Sequence, residues 1–256
     1  MSFKTGSSKM PINKLTAEDI KKYFDNYVMT QKKRRVAYIF KDGPFQKEVE
    51  NIRNALGVLG FNETDIKVHT FEEMCEVSKE FNIKDIDCIL CVIMKSDETK
   101  PECADVAEVH DLLSYLKADR CSSLIGVPKL IFVEASRGSK IDINVDDQQK
   151  VNANEELVSK YRLEEDTLLY FSSCPDYSSF KNEDEGSWFF NILSKILIKY
   201  GTTYEMMILL TAVSKHVAAK KFESDKAPDF KECKQMPCIM STLTKKLKFE
   251  PPANQM

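Results

Sequence analysis

Leu124-Ile125-Gly126-Val127-Pro128-Lys129-Leu130-Ile131-Phe132-Val133-Glu134-Ala135-Ser136-Arg137-Gly138 holds an apolar, β-branched run, Lys129–Glu134, between a proline and a glycine. That pattern marks a short strand. Working outward, similar runs stand at Val36–Phe40, Ile66–Val68, Cys88–Met94, Thr167–Ser172 and Cys238–Leu243. The segments between them carry helical period instead. Val49, Ile52, Leu56 and Leu59 form one apolar stripe, and Val106, Val109, Leu112, Leu113 and Leu116 form another. Two more helices are expected at Trp188–Tyr200 and at Thr203 to about Phe222, broken at Gly201. Strands alternating with helices predict an α/β fold, a parallel or mixed sheet covered by helices.

Composition narrows the function classes. An apolar share of 43% with 30% charged residues fits a globular domain rather than a disordered chain. A net charge of −3 with both signs interspersed offers no electrostatic reason to expect nucleic acid or an anionic membrane as partner. The N-terminus lacks a charged-then-apolar leader, and no apolar run approaches the roughly 20 residues that span a bilayer. A cytoplasmic protein is therefore expected, with its cysteines reduced. Cys88 and Cys91 form a Cys-x-x-Cys. Their odd separation on a strand points them to opposite faces, which favours packing over zinc. No metal or other cofactor is expected.

One segment breaks the rhythm. Residues 139–161 are polar and read as a mobile linker within a single domain. The expected organisation is a short arm over 1–33, a domain over 34–249 and a tail over 250–256. The linker divides the domain into a larger part, 34–138, and a smaller one, 162–249.

Glu134-Ala135-Ser136-Arg137-Gly138 at the end of its apolar strand resembles the caspase active-site motif Gln-Ala-Cys-X-Gly. Tyr177-Ser178-Ser179-Phe180-Lys181-Asn182-Glu183-Asp184-Glu185-Gly186-Ser187-Trp188-Phe189 is similar to that family's substrate-groove loop and the helix after it. Weaker echoes follow at Leu59-Gly60-Phe61, Ala118–Leu124, Met236–Ser241 and Leu243–Lys245, so the resemblance runs from about Arg35 to Phe249. It implies a six-stranded, mostly parallel sheet with helices on both faces, and a short prodomain.

The resemblance also implies where the chemistry should lie. Ser136 stands at the position of the nucleophilic cysteine, and a serine hydroxyl, unlike a thiol, depends wholly on an adjacent base. Aligned on the third strand, Ser96 replaces the family's histidine and Asp97 the glycine beside it. The backbone amides of Ser136 and Gly138 would remain as oxyanion donors. Around the pocket for the substrate's aspartate, Glu134 replaces a glutamine and Lys181 an arginine, with Ser179 and Phe180 as further remnants of the groove. The second arginine has no counterpart in the short Phe40–Phe45 turn. A carboxylate in that pocket repels aspartate, and lysine lacks arginine's bidentate fork. Glu134 and Lys181 are expected to pair with each other. On these grounds the chain is expected to be a pseudoenzyme, not an enzyme, with a residual hydrolase using Ser136 as the remote alternative.

Ile143-Asn144-Val145-Asp146-Asp147 lies where caspases carry their processing site, so cleavage after Asp146 or Asp147 is the expectation. The last strand, with Cys238, Ile239, Met240, Ser241, Thr242 and Leu243, matches the one that pairs across the caspase two-fold axis. It implies heterodimerisation with an active caspase paralogue or self-association, in regulation of apoptosis-type proteolysis. A monomer whose edge is covered by Lys248–Met256 is the bland alternative. A decoy for caspase inhibitors or substrates is the other binding function, although Asp147 and Gln148 do not offer its best-known N-terminal route.

Overall fold

In the computed structural model the run Lys129–Glu134 is a strand over those same residues, β4, with all six buried. The description covers residues 16, 25–29, 33–96, 107–137, 142–143, 161–182, 185–221 and 233–251. Even Lys129 is taken in, because its ammonium donates to the carbonyls of Leu124 (3.3 Å) and Val127 (2.9 Å).

The chain runs β1 (Arg34–Asp42), α1 (Gln46–Val58), β2 (Ile66–His69), the single turn α2 (Met74–Val77), β3 (Ile86–Lys95) and α3 (Ala107–Tyr115). After β4 come β5 (Asp142–Ile143), β6 (Thr167–Phe171), β7 (Lys181–Asn182) and β8 (Gly186–Ser187). Two long helices follow, α4 (Trp188–Tyr200) and α5 (Met206–Ala218), then β9 (Cys233–Lys234) and β10 (Cys238–Ser241). The main sheet has six strands in the order β10-β6-β4-β3-β1-β2, parallel except for β10, which runs antiparallel to β6.

Side chains alternate along each strand, so the sheet feeds two cores. Ile39, Val92, Phe132 and Tyr170 pack with Ile52, Leu56, Phe189, Leu193, Leu210 and Val213 of α1, α4 and α5. Tyr38, Cys91, Ile131 and Phe171 pack on the other face with Met74, Val109 and Leu112 of α2 and α3. Cys88 joins the first core and Cys91 the second, so the pair cannot share a ligand. Burying each such aliphatic or aromatic side chain contributes about 1.5–3 kcal/mol, which is why both faces must be covered.

The structure trims the expected elements for local reasons. The last strand stops at Ser241, short of Leu243, because the Thr242 hydroxyl turns inward to accept from Thr167 N (3.2 Å) and reaches Glu164 O. Helix α5 starts at Met206, not Thr203, because Glu205 caps it, its carboxylate accepting from Met207 N and Ile208 N. The linker is not wholly without structure: Asp142–Ile143 pairs antiparallel with Cys233–Lys234. At its end Tyr161 is buried and stacks on His110 at 4.5 Å. Asp146 and Asp147 lie outside the described residues.

The segment read as an arm supplies Tyr27 and Met29 to the first core. Tyr27 donates its hydroxyl to Asp166 (2.6 Å) and its N–H to Lys246 O (3.0 Å). Beyond β10 the tail turns away from that strand. Phe249 is buried beside Phe61, with the Arg35 guanidinium 5.3 Å above its ring. The described tail therefore lies with the arm and α1 rather than along β10.

Arg35 is a buried cation at this end of the sheet. It is almost fully buried, pairs with Asp87 (3.2 Å), and donates to Leu59 O and Met29 O. Burial pushes the Asp87 carboxyl up, against the opposing pull of Arg35. Arg35→Met should strand Asp87 and loosen both arm and tail. The expected loss, read from urea unfolding, is about 3–5 kcal/mol, and an unchanged midpoint would contradict this role.

Candidate functional site

The parallel register Met94↔Glu134 places the ends of β3 and β4 side by side. Ser96 and Ser136 each stand two residues further on, so both emerge at the carboxyl edge of the sheet, where open α/β sheets bind ligands. The sequence thus brings the two expected positions together through strand pairing alone.

The loop after β6 wraps around Ser136. Ser179 N donates to Ser136 Oγ (3.2 Å), and Arg137 exchanges backbone hydrogen bonds with its far side: Arg137 N to Tyr177 O (3.1 Å) and Asp176 N to Arg137 O (3.0 Å). Ser172 and Ser173 add contacts to the Ala135 backbone. Gln235 then pins both ends of this loop, donating to Ser172 O (2.7 Å) and accepting from Phe180 N (2.8 Å) while itself buried. The Arg137 side chain is buried with its guanidinium 4.0 Å over the Phe171 ring.

The pocket remnants do meet. Phe45, Lys95, Ser96, Glu134, Ser179, Lys181 and Ser187 line one cavity of about 10 Å³, room for at most a single water. Its occupant is internal. The buried Glu134 carboxylate accepts a hydrogen bond from the Ser187 hydroxyl. Ser187 is a donor to Glu134 that sequence reasoning did not foresee; Lys181, the expected partner, lines the same cavity from an exposed position on β7. Lys95 is drawn off to Glu108 (2.7 Å). Gly43 keeps the short β1–α1 turn against the site, because a Cβ there would lie 3.1 Å from Ser96 Cβ. Asp97 and Gly138 lie outside the described residues. A larger cavity, about 460 Å³, sits between α4 and α5 and includes Ile192, Tyr200 and His216, none of which belongs to these strand ends.

Sequence reasoning missed Glu48, Gln235 and the role of Ser187. Glu48 on α1 is buried and accepts from Ser187 N (2.8 Å). Gly186 has φ +75°, and a Cβ there would run into the Glu48 carboxylate, so this motif glycine is required on two counts. A buried charge on the apolar face of α1 was the only available signal for Glu48, and Gln235 offered none.

Residues 45–248 match the family described as Caspase domain. The chain belongs to the caspase family. It is 32% identical to caspase-6 of Mus musculus over 260 residues, covering 89% of this chain and 92% of that protein. It is 33% identical to caspase-7 of Gallus gallus over 220 residues, covering 79% and 69%. The crystal structure of caspase-1 from Spodoptera frugiperda superposes with a TM-score of 0.70 at 27% identity, covering 91% of this chain and 96% of that one.

This membership overturns the expectation of a non-enzyme drawn from Ser136 and Ser96: the domain is a caspase domain, and the relatives it matches are named caspases. What the geometry adds is a chemical requirement. Among the described residues the Ser136 hydroxyl is hydrogen-bonded by a backbone N–H, a donor that takes up no proton. His69 is on β2 beside Tyr38 and Phe40, His110 stacks on Tyr161, and His216 lines the α4–α5 cavity. Hydrolysis at Ser136 would have to draw its base from beyond the described residues or from a partner. Among those residues no cluster of His, Cys, Asp and Glu is placed to hold a metal ion, and no helix is long and apolar enough to cross a membrane.

Ser187 caps α4 through Phe190 N (3.2 Å) besides holding Glu134 and Glu48. Ser187→Ala should cost about 1 kcal/mol for the cap and a further ~1–3 kcal/mol for the carboxylate left without its donor. Equilibrium unfolding measures the sum, and a loss below about 0.5 kcal/mol would be inconsistent with it.

Proposed function

We propose that this caspase domain regulates an active caspase, in the cytosol and in apoptosis-type proteolysis, by pairing with it through β10; pairing with a second copy of itself would use the same strand. The observation that carries this reading is the open edge of the sheet. β10 pairs with β6 on one side, and among the described residues no strand lies on its other side. Its residues are half-buried and Ser241 is exposed. Uncovered edges invite a further strand.

The polarity of the edge can be worked out. Thr242 N donates to Thr167 O (2.8 Å), so the alternation of an antiparallel ladder turns the N–H groups of Ile239 and Ser241 away from β6. Those are the donors a partner strand would meet. Gln235, three residues before the strand, holds both ends of the loop that clasps Ser136. A partner seated on β10 therefore bears on the candidate site through one side chain, and the site's state bears in turn on the partner.

Mixing the protein with an active caspase and measuring mass by light scattering should reveal a heterodimer. Ser241→Pro removes an outward N–H without touching the ladder to β6. It should weaken pairing at least tenfold, about 1.4 kcal/mol, with the melting temperature held within a few degrees. Separate monomers at every concentration, or a dimer indifferent to Ser241→Pro, would sink the proposal.

A further inference from the structure

We propose that the groove between α4 and α5 binds a small amphipathic carboxylate, a straight-chain fatty acid of medium length. Its chain lies on isoleucines of α4, and its head pairs with lysines from both helices.

The groove follows from helical spacing. Ile192, Lys195, Ile196, Lys199 and Tyr200 stand three or four residues apart in turn, so they share one face of α4. Ala219 and Lys220, just past the end of α5, supply the opposite wall. Together these residues bound a cavity of about 460 Å³, within the roughly 300–1,000 Å³ that small ligands fill. Ile196 is buried and Ile192 packs on the first core, so the floor is apolar and anchored in that core.

The floor selects a chain, and the rim selects its charge. Lys195, Lys199 and Lys220 line the groove, and the carboxylate that answers them is Glu185, 2.8 Å from Lys220 and 3.9 Å from Lys195. Lys199 instead holds its ammonium 5.0 Å from the Tyr200 ring. Three cations around one anion leave a positive surplus, which draws an anion to the groove. A phosphate ion would leave the isoleucines in water, and an alkylammonium would be repelled by the lysines. An alkyl carboxylate satisfies both surfaces.

Occupancy reaches the candidate site through Glu185. That residue lies between β7 and β8, its N–H donating to Asn182 Oδ1 (3.0 Å), and Ser187 follows two residues on. A ligand carboxylate that takes Lys220 releases Glu185 from its partner. Lys220 also lies 5.3 Å from the ring of Trp188, the single tryptophan of the chain, so the exchange has an optical signature. The site belongs to one chain and does not require pairing through β10.

The test titrates the full chain with sodium decanoate, reading calorimetric heat and Trp188 emission, with acetate and decylammonium as controls. One saturable site per chain is expected, with an emission change that saturates in step. Acetate and decylammonium should bind at least tenfold more weakly. Lys195→Glu reverses a rim charge and Ala219→Leu fills the groove, both at exposed residues. Each should weaken decanoate at least tenfold without moving the melting temperature of the unliganded protein. Were either variant to fold poorly, the comparison of three ligands on the unsubstituted chain still decides. No heat with decanoate, equal binding of decylammonium, or affinity indifferent to both substitutions would overturn the proposal. So would a groove closed to decanoate in the full chain but open once residues 222–232 are replaced by glycine and serine, a result that assigns it to that segment.

Discussion

The Ser187 hydroxyl and amide join three parts of the molecule that are far apart in sequence. Its N–H goes to Glu48 on α1, its hydroxyl to Glu134 at the end of β4, and the same oxygen caps α4 by accepting from Phe190 N. Two buried carboxylates are costly in an apolar core unless each is given a donor. Ser187 gives one to both, and α4, which lines the first core with Phe189, Phe190 and Leu193, starts from that point. The helix layer on one face of the sheet and the filling of the cleft at the strand ends thus rest on one small polar residue.

This arrangement explains the shape of the candidate site. Glu134 could have projected a charge toward a ligand, but its carboxylate is turned inward onto Ser187, and the cavity around it shrinks to about 10 Å³. Ser136 sits above it with its hydroxyl bound by Ser179 N, inside a loop secured by Gln235. Because Gln235 leads into β10, the cleft and the open edge of the sheet are mechanically one unit. A strand added at the edge therefore reaches Ser136 through few intervening residues.

Much of the fold was legible because burial on both faces forces nearly continuous apolar runs, and six such runs are visible in the chain. Element ends were less so. Thr242 and Glu205 decide them through hydrogen bonds to residues distant in sequence or across a turn, and no propensity encodes those partners. The site was half legible. Ser96, Glu134, Ser136, Ser179 and Lys181 follow from motifs and do converge, whereas Glu48 and Gln235 carry no motif and arrive from elements 139 and 55 residues away from their partners. Charge pointed to Lys181 as a partner for Glu134, whereas the hydrogen bond from Ser187 carries no charge signal and could not be read from the sequence.

By itself, then, the sequence determined the α/β class, the strand and helix order, the two-faced placement of Cys88 and Cys91 and the residue types at the strand ends, because hydrophobic period and local motif are properties of contiguous residues. Tertiary structure alone decided which carboxylate meets which donor, that Tyr27, Met29 and Phe249 close one end of the core around Arg35, and that Gln235 ties the loop around Ser136 to the approach of β10. Those are contacts between segments separated along the chain. Their energies depend on distance and burial, and both exist only once the sheet has formed.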